Sequence, residues 1–219
     1  MPTSRLFFSA ALLLVPTAAL ADDADDAAGL WMTPTAEFAL DDDTAVEVEA
    51  SVRLRSAAVG PDSYLVRLWL NQQLSDAISV SGGIERRVNS GAAANEIRLL
   101  QQASARTGIV RGRVRFEQRF IDGAGQTALR LRTRLGVNVP LDTARNWRAV
   151  ADAESFWTLQ PALVGGQTGL TGLRTRIGGS HRVKDNFTLG VYYLRNQEIL
   201  QGRRDRVTHA PLIGLDFSF

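Results

Sequence analysis

The chain has 219 residues, no cysteine, two histidines and a formal net charge of +2, from 25 Lys plus Arg against 23 Asp plus Glu. Without thiols there is no disulfide scaffold, no lipidated cysteine and no thiolate metal site, and two histidines leave little for a metal centre. Charge is unevenly placed: eight acids and no base lie between Asp22 and Asp43, fifteen acids and 24 bases follow from Thr44 onward, and every base except Lys184 is arginine.

Met1 to Ala21 reads as a secretory signal, with Arg5 ahead of an apolar run from Leu6 to Val15 and Ala19-Leu20-Ala21 as a small-x-small cleavage site. That run is only about half of the roughly 20 residues that a spanning helix needs, and no other segment is longer, so membrane insertion would have to be by strands. Asp22 to Asp43 follows as an acidic N-terminal segment. It is either a solvated start or an arm that pairs with the basic body. Within it, Leu30 to Leu40 carries Trp31 and Phe38 and has the composition of a short strand, yet one more strand would make the count odd, so it is either an N-terminal segment in the periplasm or inside the barrel, or the first strand of a barrel of twelve with another strand between Gln160 and Leu170.

From Thr44 onward, ten segments alternate apolar and polar residues with period two. They run approximately over Thr44 to Arg55, Tyr64 to Asn71, Ile78 to Arg87, Asn95 to Arg106, Gly108 to Phe120, Thr127 to Asn138, Trp147 to Trp157, Leu170 to Arg182, Asn186 to Asn196 and Arg206 to Phe219. One face reads Val46, Val48, Val52, Leu54, then Tyr64, Val66, Leu68, Leu70, and so on to Ile213, Leu215, Phe217 and Phe219. The other carries both signs of charge. The alternation is densest where Arg111, Arg113, Arg115, Glu117 and Arg119 precede an Asp122-Gly123-Ala124-Gly125 turn and Arg130, Arg132 and Arg134 follow it. Asp152, Glu154, Arg174 and Arg176 continue the same face, with Glu85 and Glu96 as further partners. Trp147 and Trp157 share the apolar face ten residues apart. They stand about 23 Å apart along a membrane normal if the strand tilts near 45°, and with Phe187, Tyr193, Phe217 and Phe219 they are the expected rim aromatics.

These features predict an all-β fold: a closed, antiparallel, up-and-down transmembrane barrel of about ten strands, or twelve, over Thr44 to Phe219. Both termini are expected on the periplasmic side, where the turns are short. The order of the segments resembles a bacterial family catalogued as domain of unknown function 2490. The resemblance rests on Trp31, the Arg-x-Arg-x-Arg-Phe-Glu-x-Arg-Phe run from Arg111 to Phe120, and the Leu-Arg-x-Arg-x-Arg-Leu run from Leu129 to Leu135 followed by Pro140-Leu141. It continues with Glu154 to Trp157 and with Arg174-x-Arg-x-Gly-Gly leading into Gly190-Val-Tyr-Tyr. It implies an outer-membrane or periplasm-facing barrel with no settled activity. The terminal Phe219, with Phe217 and Leu215, also resembles the last strand that barrel-assembly machinery recognises.

For function, the arginine face has three readings: an ion-pair network that fills a narrow lumen, a small anion-preferring path, or phosphate binding at an outer rim by Arg203, Arg204 and Arg206. The expected role is an outer-membrane protein, structural or narrowly anion-conducting, surrounded by lipid, without cofactor or metal and without nucleic acid as a partner. A soluble periplasmic barrel that binds an acidic ligand is the alternative. A lipid-modifying enzyme would need a nucleophile beside a histidine. His181 and His209 fall at opposite ends of their strands, and Ser180 faces away from His181, so no catalytic residue is assigned.

Overall fold

The computed structural model describes residues 24–56 and 60–219, which leaves the expected signal segment outside the described residues. The strands are β1 (Ala24–Ala39), β2 (Thr44–Arg55), β3 (Ser63–Ser75), β4 (Ile78–Asn89), β5 (Glu96–Thr107), β6 (Val110–Ile121), β7 (Ala128–Pro140), β8 (Trp147–Gln160), β9 (Gly169–Lys184), β10 (Phe187–Glu198) and β11 (Asp205–Ser218). Each pairs with its sequence neighbours, and β1 meets β11 to close the barrel. Closure leaves no unpaired edge among these strands.

All ten expected segments are strands, and the segment around Trp31 supplies an eleventh. Of the alternatives for the acidic stretch, the first-strand reading is the one observed, as β1, but without a twelfth strand between Gln160 and Leu170. The odd count has a geometric consequence. An up-and-down chain with an odd number of strands ends with its first and last strands pointing the same way, so they can only pair in parallel. They do so, with Trp31 opposite Leu212, Met32 opposite Ile213 and Glu37 opposite Ser218. The expectation of a wholly antiparallel sheet with both termini at one end is thereby corrected: Ala24 lies level with Asp205, at the far end from Phe219.

The two ends differ in their connections. Asp76-Ala77, Gly108-Ile109 and Asp185-Asn186 are minimal turns at the Phe219 end, where residues 40–43 and the six-residue 141–146 also lie, while residues 90–95, 122–127, 161–168 and 199–204 and the link between β2 and β3 bridge the other. Gly108 holds a left-handed backbone (φ 54°), as the tight β5–β6 turn demands, and Gly123 does the same (φ 76°) after β6. The β1–β2 turn is fixed by Asp41, whose Oδ1 accepts hydrogen bonds from the amides of Asp43 (2.9 Å) and Thr44 (2.7 Å). These donors, Asp43 first, hold its carboxyl below the usual range.

Alternation sorts the side chains by face along most of the wall, the exception being the long-loop end of β10 and β11, where Asn196, Gln197, Val207 and Thr208 are all buried. On β3, Tyr64, Val66, Leu68 and Leu70 face out while Ser63, Leu65, Arg67 and Trp69 are buried inside. The outward face stays apolar around the barrel: Val66, Ile177 and Val191 are 57%, 61% and 57% exposed. This is the reverse of a water-soluble sheet, where the charged face would look outward. Inside, Trp31, Leu194, Ala210 and Leu212 form an apolar seam backed by Tyr192 along the closing strands. Close approach fixes two small residues. A Cβ on Gly83 would meet the Trp69 ring at 2.5 Å, and one on Gly190 would meet Tyr192 at 2.5 Å, so each ring lies across a glycine of a neighbouring position.

Candidate functional site

The lumen is built from a conflict in strand register. Arg113 sits directly opposite Arg134, and Arg115 opposite Arg132, across the β6–β7 pair. Like charges in such positions repel. Relief comes from β8: Glu154 stands opposite Arg134 on one side and Arg174 on the other. Its carboxylate binds Arg132 at 2.8 Å, lies 3.4 Å from Arg134 and 3.6 Å from Arg174, and pairs with Arg113. At 2% exposure, Glu154 is shared by four guanidiniums out of contact with solvent.

Glu117 does the same for the next row of arginines. It binds Arg130 at 2.5 Å and Arg132 at 2.7 Å and reaches Arg98 at 3.6 Å. Arg98 passes the network to Glu85 (3.4 Å) and Glu96. Glu85 also holds Arg87 (2.9 Å) and Arg67, and Arg67 ends the chain of contacts on Glu49 at 2.5 Å. Arg119 closes on Glu96 at 2.9 Å, and Asp152 holds Arg176 at 2.6 Å with Arg134 at 3.6 Å. One network thus spans β2 to β9. Among the described residues it joins ten arginines to six carboxylates.

Two further arginines have no carboxylate partner among the described residues. Arg115 is held by Gln102 Oε1 (2.6 and 2.9 Å) and stacks 4.7 Å over Trp69. Arg53 lies 4.4 Å over the Trp31 ring, whose centroid is 4.9 Å from Arg174. Arg132, Arg130 and Arg174 gather around Phe156 at 4.7, 5.3 and 4.9 Å. The aromatic rings supply the partial compensation that carboxylates do not.

Two cavities flank this layer, sharing Arg53, Arg132 and Arg174 in their walls. The one toward the Phe219 end, of about 230 Å³, is bounded by eight arginines and two carboxylates, Glu49 and Asp216. The one toward the long loops, of about 360 Å³, has eight arginines against Glu96 and Glu198. The middle of the lumen therefore holds two guanidinium-lined chambers divided by a charged and aromatic waist, and a further cavity of about 340 Å³ bordered by Arg106, Arg111, Arg113 and Arg134 lies at the short-turn mouth.

Of the residues singled out in the sequence, Arg113, Arg115, Glu117, Arg119, Arg130, Arg132, Arg134, Asp152, Glu154, Arg174 and Arg176 all meet in this network or on its walls. Arg111 does not. It turns to the Gly108 and Val110 carbonyls at the short-turn mouth. The expected partners Glu85 and Glu96 are in place. The rim aromatics all face outward: Phe187 stacks on Phe217 and Phe38 on Phe219 at one end, Trp147 stacks on His181, and Tyr193 on His209. The histidines thus lie outside the lumen on separate aromatic partners. In the last loop, Arg203 and Arg204 are exposed, while Arg206 pairs with Glu198 at 3.1 Å.

Sequence reasoning missed the importance of Trp31, Arg53, Phe156 and Tyr192. The waist requires β1 inside the barrel, and once β1 was set apart nothing marked Arg53 as different from other inward arginines. A ring on an otherwise charged face, as at Trp69 and Phe156, was the signal available. Among known proteins, a family model described as protein of unknown function (DUF2490) matches residues 28–208. No curated protein matches the chain, and no solved structure does.

Proposed function

The chain belongs to the DUF2490 family, and from that premise we propose that it is an outer-membrane barrel whose lumen gives small anions a narrow, selective path. Three features support a membrane setting. Every strand presents exposed apolar side chains outward with few polar ones such as Arg86 and Gln101 among them, most of the charge points inward, and aromatics gather where the strands end. Turns at one end are short except for residues 141–146, and connections at the other run to six residues or more, which fits short turns in the periplasm.

The observation that carries the reading is the excess of arginine. Ten guanidiniums share six carboxylates, Arg53 and Arg115 have none, and the walls of both chambers are dominated by arginine. Buried charge without a partner is costly. A lumen with this surplus is most stable when mobile anions supply the missing charge, and it repels cations. The waist sets the resistance, since there arginines and rings from β1, β2, β7, β8 and β9 converge.

Single-channel recording of the folded protein in a planar bilayer under a salt gradient tests this. Discrete steps with anion preference are expected. A folded barrel that stays silent, or one that prefers cations, overturns the pathway. The silent result supports a second reading, favoured by the continuity of the ion-pair network itself: a packed lumen that only holds the barrel together.

A further inference from the structure

We propose that the chamber toward the Phe219 end is a binding site for one doubly charged tetrahedral oxyanion of the phosphate type, seated against Arg53 and Trp31. The inference rests on the anion-selective lumen argued above and deepens it by naming a ligand class and a place.

The two chambers are alike in arginine content but not in how their donors are satisfied. Four of the buried side-chain nitrogens without a hydrogen-bond partner are Trp31 Nε1, Arg53 Nε, Arg113 Nε and Arg134 Nε, and all four residues line this one chamber. Arg53 also borders the other chamber, and Arg113 and Arg134 also border a cavity at the short-turn mouth, so Trp31 is the donor that faces this chamber alone. Buried donors are satisfied in the great majority of native structures, and a cluster of orphans in one place calls for an acceptor. Trp31 is 3% exposed, so bulk water does not serve it. Arg134 Nε is the weakest of the four, because Asp152 Oδ1, itself a buried acceptor without a partner, lies 3.6 Å away, too long for a hydrogen bond; among the described residues, Trp31, Arg53 and Arg113 have no such acceptor beside the unpartnered nitrogen.

Charge gives the same answer. Arg53 and Arg115 both line the chamber and lack carboxylates, and four more of its arginines share the one carboxylate of Glu154, so the local surplus is at least two positive charges. The two acids on the wall do not cancel it. Glu49 is held by Arg67 at 2.5 Å, and Asp216 is exposed to solvent, which screens its charge. A dianion offsets two of these charges at once. Guanidinium forks pair with two oxygens at once, which suits phosphate and gives a spherical halide no comparable set of acceptors. At about 230 Å³ the chamber is smaller than the ~300–1,000 Å³ of sites that enclose drug-sized molecules, so it fits a free oxyanion or a single phosphate group and little more.

The test is a titration of the full, folded chain in detergent with inorganic phosphate at constant ionic strength in chloride. Calorimetry and tryptophan fluorescence are read together. Saturable binding of about one phosphate per barrel is expected, with Arg53→Gln weakening it tenfold or more, the scale of a lost charge-assisted hydrogen bond. Arg119→Gln, whose arginine borders only the other chamber, should change it less than about threefold. If Arg53→Gln does not give a folded barrel, Arg115→Gln carries the same expectation. Binding that is absent, that does not saturate, or that falls equally in Arg53→Gln and Arg119→Gln overturns the site. A soluble phosphate monoester run alongside distinguishes the sources: competition with free phosphate means that a phosphate group on a larger molecule can enter, and its failure restricts the site to the free ion. Because binding in detergent needs no current, a silent barrel that takes phosphate would sink the pathway alone, and a conducting barrel that does not would sink the site alone.

Discussion

Glu154→Gln should be the most damaging isosteric change in the barrel. The side chain keeps its shape and loses its charge at a point where Arg132 (2.8 Å), Arg134 (3.4 Å), Arg174 (3.6 Å) and Arg113 converge. Two unit charges about 4 Å apart interact by about 4 kcal/mol at an effective dielectric near 20. The four attractions are not additive, because they already offset repulsion among the arginines. Removing one partner of a buried pair typically costs ~3–5 kcal/mol, and with four partners stranded the upper end of that range is expected. For a urea slope of about 2 kcal/mol per molar, the unfolding midpoint should fall by about 2 M. Gel migration of unheated, detergent-solubilised samples after urea incubation reads the folded fraction. Glu198→Gln is the control: its pair with Arg206 spans 3.1 Å at a rim where the side chains are 38% and 36% exposed, and such pairs contribute ~0–1 kcal/mol. Added phosphate should restore part of the loss in Glu154→Gln, by up to ~2.7 kcal/mol at a hundredfold excess over its dissociation constant. Equal shifts in the two variants, or less than about 1 kcal/mol for Glu154→Gln, would refute the claim that this carboxylate neutralises the arginine cluster.

Three other outcomes follow from the fold. Gly83→Val should cost ~1–3 kcal/mol in the same urea assay because its side chain enters the space of the Trp69 ring, whereas Gly82→Ala, which meets nothing within 4 Å, should be neutral or gain ~0.5 kcal/mol. In this cysteine-free chain, Met32→Cys with Ile213→Cys places two thiols on register partners of β1 and β11, whose strands lie ~4.8 Å apart, and oxidation should link them. Met32→Cys with Leu212→Cys points them to opposite faces and should not; linkage in both, or in neither, would mean that the parallel seam does not form as described. Asp41→Ala should loosen the β1–β2 turn with a distinctive pH signature. Because the folded-state pKa of Asp41 is depressed, its contribution is fully present above the ordinary aspartate value of ~3.9 and fades as pH falls through the lower folded value. The difference in melting temperature between wild type and variant should therefore shrink on acidification from pH 6 to below about pH 3, and a constant difference would argue against the carboxylate as the cause.

Strand identity and facing were legible in the sequence because side-chain direction in a strand follows from position alone. Every second residue shares a face, so the inward ladder from Arg111 to Arg134 and the outward row from Tyr64 to Leu70 could be assigned before any fold was known. The family resemblance was legible for the same reason, since its motifs are strand patterns. What alternation cannot convey is which strands become neighbours at the closing seam. Ala24–Ala39 has a weak pattern of small and polar residues, and only pairing with β2 on one side and β11 on the other makes it a strand. That single element decides the odd count, the parallel seam and the separation of the termini.

The ion pairs divide along the same line. Sequence determined that many arginines and several acids would share a closed interior, and therefore that they would have to be compensated there. It could not determine which acid serves which arginine, because Glu154 meets Arg113 across 41 positions of chain through a strand tilt and register that only closure sets. Nor could it show that Arg53 and Arg115 are left over: a deficit of carboxylates appears only once every neighbour in three dimensions has been paired, since charge balance in a low-dielectric lumen is a property of the assembled wall and not of any one strand.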